Sequence, residues 1–309
     1  MDRPATHRVI DAHIHVYPAE VAADPIAWAR AQGEPGWSAT VAPAGRRSIQ
    51  GWADPEAAIA DMDEAGIDAC VILGWYWERQ ETCDLQNRWH VDWIRRHPGR
   101  FAAFAAVQPA AGHRAIDALE RALDDGLCGV GELLPQAQGF GLEDPAWRRV
   151  VETAIRHRVP INLHATDPEA GPSAGPKTPL GDYVRLSQAY PEATFILAHW
   201  GGGLAARGLA DATGELPSNL YFDTAASPLL YDIGIFRRAV DRVGASRILF
   251  GSDYPLMLYP RESRRRGFRR FLEEIDGAGL KPAEQESILS GNLRRILPAA
   301  LALGGPGPY

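Results

Sequence analysis

Two histidines separated by one residue stand near the start of the chain, in the segment VIDAHIH at residues 9–15. Side chains two residues apart on a β-strand point to the same face. A strand over this segment would therefore direct the imidazoles of His13 and His15 to one point. A divalent metal ion needs more protein ligands than these two, so the pair predicts part of a metal site whose other ligands lie later in the chain.

Three later side chains are candidates to complete that site. His164, His199 and Asp253 stand at the ends of the fifth, sixth and eighth predicted strands. In barrels of eight alternating strands and helices, catalytic groups lie at the carboxyl ends of the strands, which meet at one face. We therefore expect these side chains beside the first pair. The other histidines are assigned surface or packing roles: His7, His90, His97, His113 and His157.

Short apolar segments alternate with longer helical patterns along the whole chain. This alternation predicts an α/β fold with a parallel sheet, and eight repeats favour a closed (β/α)8 TIM barrel over an open sheet. The predicted strands are Val9–Ala12, Ala69–Leu73, Phe101–Gln108, Gly129–Leu133, Pro160–His164, Thr194–His199, Asn219–Asp223 and Arg247–Asp253. The predicted helices are Asp54–Ala65, Asp84–His97, His113–Asp124, Pro145–His157, Leu180–Ala189, Tyr231–Val240 and Phe268–Ile275.

Composition favours one enzyme-sized domain and argues against several classes of partner. The chain has 309 residues, of which 46% are hydrophobic, and we predict a single domain over 1–309 with a barrel core at about 8–298. Its formal net charge of -7 argues against a nucleic-acid partner. No stretch of about 18 apolar residues could span a membrane. Three scattered cysteines favour a cytoplasmic location. The expected partner is a small-molecule substrate, and a homo-oligomer stays open.

Two predicted loops are long and rich in proline, glycine and small residues, at 17–53 and 165–179. Both follow strands that end in histidine, so both lie on the face of the expected metal site. Loops of this length in compact domains commonly cover a functional site or lack fixed structure. Their role stays open at the level of sequence.

The order of these motifs resembles the amidohydrolase superfamily. The resemblance rests on His13-x-His15, on His164, on HWGG at 199–202 and on FGSDYP at 250–255, and it covers about residues 8–298. The nearer match is the amidohydrolase-2 branch, which includes aminocarboxymuconate-semialdehyde decarboxylase, related aromatic-acid decarboxylases and lactone hydrolases. The segment GNLRRIL at 291–297 is similar to the closing helix of that branch. One fold hosts many reactions, so the substrate does not follow.

The resemblance implies that His13, His15, His164 and Asp253 hold a divalent metal ion, commonly zinc, with manganese as the alternative. Such an ion lowers the pKa of bound water to about 7 and supplies hydroxide at neutral pH. Asp253 would ligate the ion and accept the proton of that water. His199 would act as a general acid or base, or polarise a carbonyl.

Glu132 leaves the number of metal ions open. It ends the fourth predicted strand in GVGE at 129–132. The TatD-like branch uses a similar Val-Gly-Glu segment to bridge two ions, with the sixth-strand histidine on the second, so Glu132 and His199 could complete a two-ion site. The alternative is a carboxylate that orients a ligand imidazole or an arginine.

Candidate substrate contacts follow the second and fourth strands. Trp75, Trp77 and Arg79 lie in WYWER at 75–79, and Gln136 follows Glu132. Aromatic walls with an arginine suit a planar or carboxylate-bearing substrate. The alternative is that the rings only cover the rim of the barrel.

These features predict a metal-dependent hydrolase in which activated water attacks an amide, ester or lactone carbonyl of a small molecule. The alternative is a non-oxidative, metal-dependent decarboxylase of a small carboxylic acid, for which an aromatic acid is one option. Glu132 separates the two, because a two-ion hydrolytic site requires it and a one-ion decarboxylase does not.

Overall fold

A computed structural model describes residues 8–43, 45, 47–171, 177–208, 215–258, 262 and 264–298. Its strands are all parallel and form two hydrogen-bonded sheets, one of order β1-β2-β3 and one of order β4-β5-β6-β7-β8. The strands are β1 Ile10–Ile14, β2 Ala69–Ile72, β3 Phe101–Ala103, β4 Val130–Leu133, β5 Ile161–Leu163, β6 Phe195–Leu197, β7 Leu220–Asp223 and β8 Ile248–Leu249.

Two seams join these sheets into a ring. At the first, Ile14 pairs with Tyr254, and the Ala12 amide donates to the Phe250 carbonyl at 2.7 Å. At the second, Ala105 pairs with Val130. The predicted (β/α)8 TIM barrel is therefore confirmed, and at each seam a strand residue, Ile14 or Val130, pairs with a residue just beyond the neighbouring strand.

Helices follow the strands and cover the outside of the barrel. The helix at Pro55–Ala65 shows how residues at the two ends of a helix set its bounds. Asp54 accepts the Ala57 N–H at 2.8 Å, Pro55 occupies the first turn, and Gly66 ends the helix with a φ of 74° that suits glycine. The helices are α1 Ala19–Ala23, α2 Pro25–Gln32, α3 Pro35–Val41, α4 Pro55–Ala65, α5 Gln80–Arg96, α6 His113–Asp124, α7 Pro135–Gln138, α8 Pro145–His157, α9 Leu180–Ala189, α10 Ala198–Gly202, α11 Leu204–Arg207, α12 Ser227–Leu230, α13 Ile235–Val243, α14 Arg269–Gly277, α15 Pro282–Glu286 and α16 Asn292–Ile296.

Several predicted elements have different bounds in the structure. The predicted strands Phe101–Gln108 and Arg247–Asp253 reduce to three and two residues. The sixth strand ends at Leu197, and both His199 and Asp253 have left-handed backbone, with φ of 56° and 66°. The chain thus leaves β geometry just before these side chains enter the site.

The predicted helix Tyr231–Val240 begins instead at Ile235. Asp232 Oδ1 accepts the Gly234 N–H at 2.8 Å, and this local hydrogen bond holds a turn where a first helical turn was expected.

The first long loop, 17–53, contains the three helices α1–α3. Trp37 of α3 is buried among the rings of Trp75 and Trp77, with centroids 6.3 and 5.2 Å away. The end of the loop pairs with the segment after β8, because the Gly51 amide donates to Pro255 and the Met257 amide donates to Ile49. This segment is therefore a folded cap. Of the second loop, 165–171 and 177–179 are described and the rest lies outside the described residues.

Apolar side chains fill both faces of the barrel wall. The interior cluster includes Ile10, Val71, Phe104 and Leu249, and Leu293 of α16 packs against it. A larger cluster lies between strands and helices. Within the described part of the chain, none of the helices has the length and apolar character needed to cross a membrane.

Candidate metal centre

A β-bulge in β1 aims the two histidines of the first motif. Asp11 pairs with Cys70 but Ile14 pairs with Ile72, so β1 has one residue more than β2 over this stretch. Such a bulge redirects the side chains that follow it. It lets His13 and His15 enter the site although Ala12 already belongs to the interior cluster. Their Nε2 atoms lie 3.3 Å apart, so the predicted convergence is present in the structure.

Two carboxylates approach this pair of imidazoles. Asp253 Oδ1 lies 3.7 Å from His13 Nε2 and 3.5 Å from His15 Nε2. Glu132 Oε2 lies 4.0 Å and 3.9 Å from the same atoms. Glu132 is only 2% exposed, and buried carboxylates require a cationic or hydrogen-bonding partner.

The remaining strand-end histidines contact Glu132 from the other side. His164 Nδ1 lies 2.9 Å from Glu132 Oε1, and its Nε2 lies 3.1 Å from the Thr166 hydroxyl. His199 Nε2 lies 3.6 Å from Glu132 Oε1, and its Nδ1 contacts the Ala225 carbonyl at 3.1 Å. Glu132 therefore stands within 4.0 Å of four imidazoles.

Among the described residues, two groups have donor atoms close enough together to hold a metal ion. They are His13, His15 and Asp253, and His13, Glu132 and His199, with the ligand atoms of each group within 4.8 Å of one another. Imidazole and carboxylate donors in such a set suit zinc or manganese. His164, predicted as a ligand, lies beside these groups and belongs to neither.

Asp223 is a buried carboxylate that sequence analysis missed. Its Oδ2 accepts from His13 Nδ1 at 2.9 Å and from Asn162 Nδ2 at 3.2 Å. Its Oδ1 accepts from the amides of His199 and Ala225 at 3.0 and 3.1 Å. Asp223 ends β7, so the strand-end rule that found the other ligands would also have found it. The carboxylate fixes the tautomer of His13 and leaves Nε2 for a ligand.

Burial and neighbouring charges shift the pKa values of the site in opposite directions. Burial opposes protonation of His13, but the charges of Asp223, Glu132 and Asp253 together outweigh it and raise the pKa of His13 to about 10. Burial, and then the charge of His13, lower the pKa of His15 to about 3. Burial raises the pKa of Asp253 to about 6. Without a metal, His13 would carry a proton on Nε2, and a divalent ion would replace that proton. The donor set fits a metal ion.

A cavity of about 640 Å³ opens onto these groups. Its lining includes Trp75, Tyr76 and Leu256 as apolar wall and the chemical groups His15, Glu132, His164, His199 and Asp253. The ring of Trp75 stacks on His15 with centroids 4.6 Å apart.

The other predicted substrate contacts lie away from this lining. Trp77 is 2% exposed and donates its indole N–H to Gln86. Arg79 is 54% exposed and faces Glu81. Gln136 accepts from the Thr178 hydroxyl. Only Trp75 of the four predicted contacts lines the cavity.

The sequence as a whole matches the model of one protein family. The match to the family described as amidohydrolase covers residues 10–299. The chain belongs to the amidohydrolase family. No curated protein matches this amidohydrolase by sequence.

Solved structures share the fold of this amidohydrolase at low sequence identity. The 5-carboxyvanillate decarboxylase of Sphingomonas paucimobilis is 17% identical, with a TM-score of 0.71 over 95% of this chain and 99% of that one. The 2,6-dihydroxybenzoate decarboxylase of Rhizobium is 18% identical, with a TM-score of 0.64 over 95% and 99%. The 5-carboxyvanillate decarboxylase of Novosphingobium aromaticivorans, with bound manganese, is 14% identical, with a TM-score of 0.73 over 95% and 97%.

Proposed function

We propose that this amidohydrolase is a metal-dependent, non-oxidative decarboxylase that releases CO2 from a small aromatic carboxylic acid. The observation that carries the proposal is the sharing of His13 by both ligand groups. Because His13 Nδ1 is engaged by Asp223, only Nε2 is free to ligate, and one nitrogen binds one ion. The two groups then describe a single centre. A one-ion site favours decarboxylation over hydrolysis by a bridged pair of ions.

Three of the similar structures support the same reaction. The three named above are decarboxylases of hydroxylated or methoxylated aromatic acids by their names, and one of them holds manganese. We therefore propose one divalent ion, manganese or zinc, held by His13, His15 and Asp253 with Glu132 and His199 adjacent. We keep His164 as a proposed ligand, because it lines the same cavity as His15 and Asp253.

The proposed reaction breaks one C–C bond and forms one C–H bond. The ring carbon keeps the electron pair of the broken bond and takes up a proton, and CO2 leaves. When bound, the ion would act as a Lewis acid that holds the substrate oxygens. The apolar wall formed by Trp75, Tyr76 and Leu256 would hold the ring and limit water.

His199 is the proposed proton donor. Its Nδ1 contacts the Ala225 carbonyl and so carries a hydrogen, which leaves Nε2 as the exchangeable position. Glu132 faces that nitrogen at 3.6 Å. Burial disfavours the imidazolium, but Glu132 and Asp253 outweigh it and raise the pKa of His199. A protonated Nε2 lining the cavity is suited to deliver a proton to carbon. Asp253 is the proposed second acid–base group.

The test is turnover of benzoic acids bearing hydroxyl or methoxyl groups by the manganese-loaded protein in D2O. We expect CO2 release with one deuterium at the carbon that lost the carboxylate. His199→Asn should lower kcat by at least 100-fold, consistent with loss of a general acid. His113→Asn, on the exposed face of α6, is the matched control. Absence of CO2 from every acid in the series would refute the proposal.

Hydrolysis is the second candidate, and the position of Glu132 favours it. A carboxylate within 4.0 Å of four imidazoles could bridge two ions and serve attack on an amide, ester or lactone. Glu132→Gln separates the alternatives, because loss of a bridge would reduce the bound metal from two ions to one. Decarboxylation predicts one ion in both proteins. Incorporation of oxygen-18 from water into a product, without CO2, would support hydrolysis.

A further inference from the structure

Three side chains from successive strand-end segments form a polar cluster at the cavity. Asp167 follows β5, Arg207 lies in α11 after β6, and Tyr231 follows α12 after β7. Arg207 Nη2 donates to Asp167 Oδ1 at 2.8 Å, and the Tyr231 hydroxyl donates to Asp167 Oδ2 at 3.0 Å. The metal centre uses none of these residues.

Only part of this cluster faces the cavity. Asp167 and Tyr231 line the cavity, whereas Arg207 does not. Glu169, which lies beside Arg207, is also outside the cavity lining. The Asp167 side chain is 15% exposed, so it is largely enclosed. Arg207 also donates to the Gly202 carbonyl at 3.2 Å, which fixes the guanidinium behind the carboxylate. The surface offered to a ligand is therefore carboxylate and phenol.

The hydrogen bonds of the cluster leave only acceptors on that surface. Tyr231 uses its single proton on Asp167, and its oxygen keeps acceptor capacity. Asp167 accepts from Arg207, from Tyr231 and from the Glu169 amide, while a carboxylate has about four acceptor positions. One acceptor position on Asp167 therefore remains. A ligand group that meets this wall must supply a hydrogen.

Ionisation preserves this arrangement at neutral pH. Burial opposes ionisation of Asp167, but the hydrogen bonds from Arg207, the Glu169 backbone amide and Tyr231 together outweigh it and lower the pKa of Asp167. Burial and the charge of Asp167 raise the pKa of the Tyr231 phenol. The carboxylate stays charged and the phenol stays neutral.

We propose that Asp167 and Tyr231 form a specificity wall that selects substrates bearing a hydroxyl or amino group and rejects a second carboxylate at that position. Arg207 is a positioning residue that holds Asp167 in place. The inference rests on the proposed function in that it takes the ligand to be an aromatic acid. It goes further, because it states which second substituent the site accepts and which residues choose it.

Calorimetric binding to the manganese-loaded protein tests this wall without requiring turnover. The probes are 2-, 3- and 4-hydroxybenzoate, each compared with the benzene dicarboxylate that has its second carboxylate at the same ring position. We expect at least one hydroxybenzoate to bind more tightly than its dicarboxylate partner. A hydrogen bond to a charged group contributes about 1.5–3 kcal/mol, so Asp167→Asn should weaken that hydroxybenzoate about 10- to 100-fold and tighten the dicarboxylate.

Two further variants keep the test decisive. Glu169→Gln removes a carboxylate 3.7 Å from the same guanidinium but outside the cavity lining, and it should leave both affinities unchanged. Tyr231→Phe should weaken binding of the hydroxybenzoate about two- to tenfold, as for loss of one neutral hydrogen bond. This variant tests the wall if Asp167→Asn does not fold.

Equal or tighter binding of the dicarboxylate at all three ring positions would overturn the inference. So would an unchanged ratio of affinities in both Asp167→Asn and Tyr231→Phe, or no binding of any probe. If the protein releases CO2 but the ratio of hydroxybenzoate to dicarboxylate affinity is unchanged in both variants, the specificity wall alone is refuted. Selective binding without CO2 release would refute the proposed decarboxylation alone.

Discussion

Replacement of Asp223 by asparagine should weaken metal binding by changing the tautomer of His13. Asp223 is fully buried and accepts four hydrogen bonds, two on each oxygen. An asparagine has the same shape but one acceptor oxygen and one NH2 donor. The NH2 group must therefore face two of the four donors.

The two orientations of the new amide differ in cost. If NH2 replaces Oδ1, it opposes the amides of His199 and Ala225, which cannot rotate. If it replaces Oδ2, it faces Asn162 and His13, and both can adapt. Asn162 can turn its amide, because its Oδ1 has no hydrogen-bond partner, and His13 can move its proton from Nδ1 to Nε2.

The second orientation weakens the metal site, because Nδ1 must then accept from the new NH2 group and the neutral imidazole keeps its one proton on Nε2, the ligand position. Loss of such a supporting contact typically lowers metal affinity 10- to 100-fold, about 1.4–2.8 kcal/mol. Titration of the apo protein with Mn²⁺ measures this change, and Asp241→Asn is the control, since Asp241 is 65% exposed in an ion pair on α13. A Kd for Mn²⁺ equal to that of the wild type would refute the reasoning.

Three further predictions concern stability. Burial lowers the pKa of His90 from 6.5 to about 4, so protonation of His90 lowers the free energy of unfolding by about 3 kcal/mol as pH drops from about 7 to 4. Denaturant titrations should show a loss over this range that is smaller by this amount in His90→Asn than in the wild type. Gly129→Ala would place a Cβ 2.4 Å from the Phe104 ring, and thermal unfolding should show a loss of about 1–3 kcal/mol that Gly171→Ala, in open space, lacks. Mn²⁺ at 100 times its Kd should stabilise the protein by about 2.7 kcal/mol, and an unchanged Tm would contradict a metal site.

Much of the barrel could be predicted from the sequence because its signals are local. The helices His113–Asp124, Pro145–His157 and Leu180–Ala189 have the predicted bounds, since apolar periodicity is carried by the helix segment itself. The convergence of His13, His15 and Asp253 could also be predicted, because the ends of parallel strands meet at one face.

The parts that could not be predicted depend on contacts between distant segments. The helices α1–α3 form where a loop was expected, because Trp37 finds its packing partners at Trp75 and Trp77. The same burial removes Trp77 from the cavity. The bulge in β1 appears only when its register against β2 is known.

The seam between β1 and β8 has a consequence for biosynthesis. Its two sides carry His13 and Asp253, which are far apart in the sequence. A ribosome completes the ligand group of His13, His15 and Asp253 only after it has translated the chain as far as Asp253. An ion bound there would cross-link the segments of the first and last strands late in translation. Nascent chains that end before Asp253 would lack this cross-link.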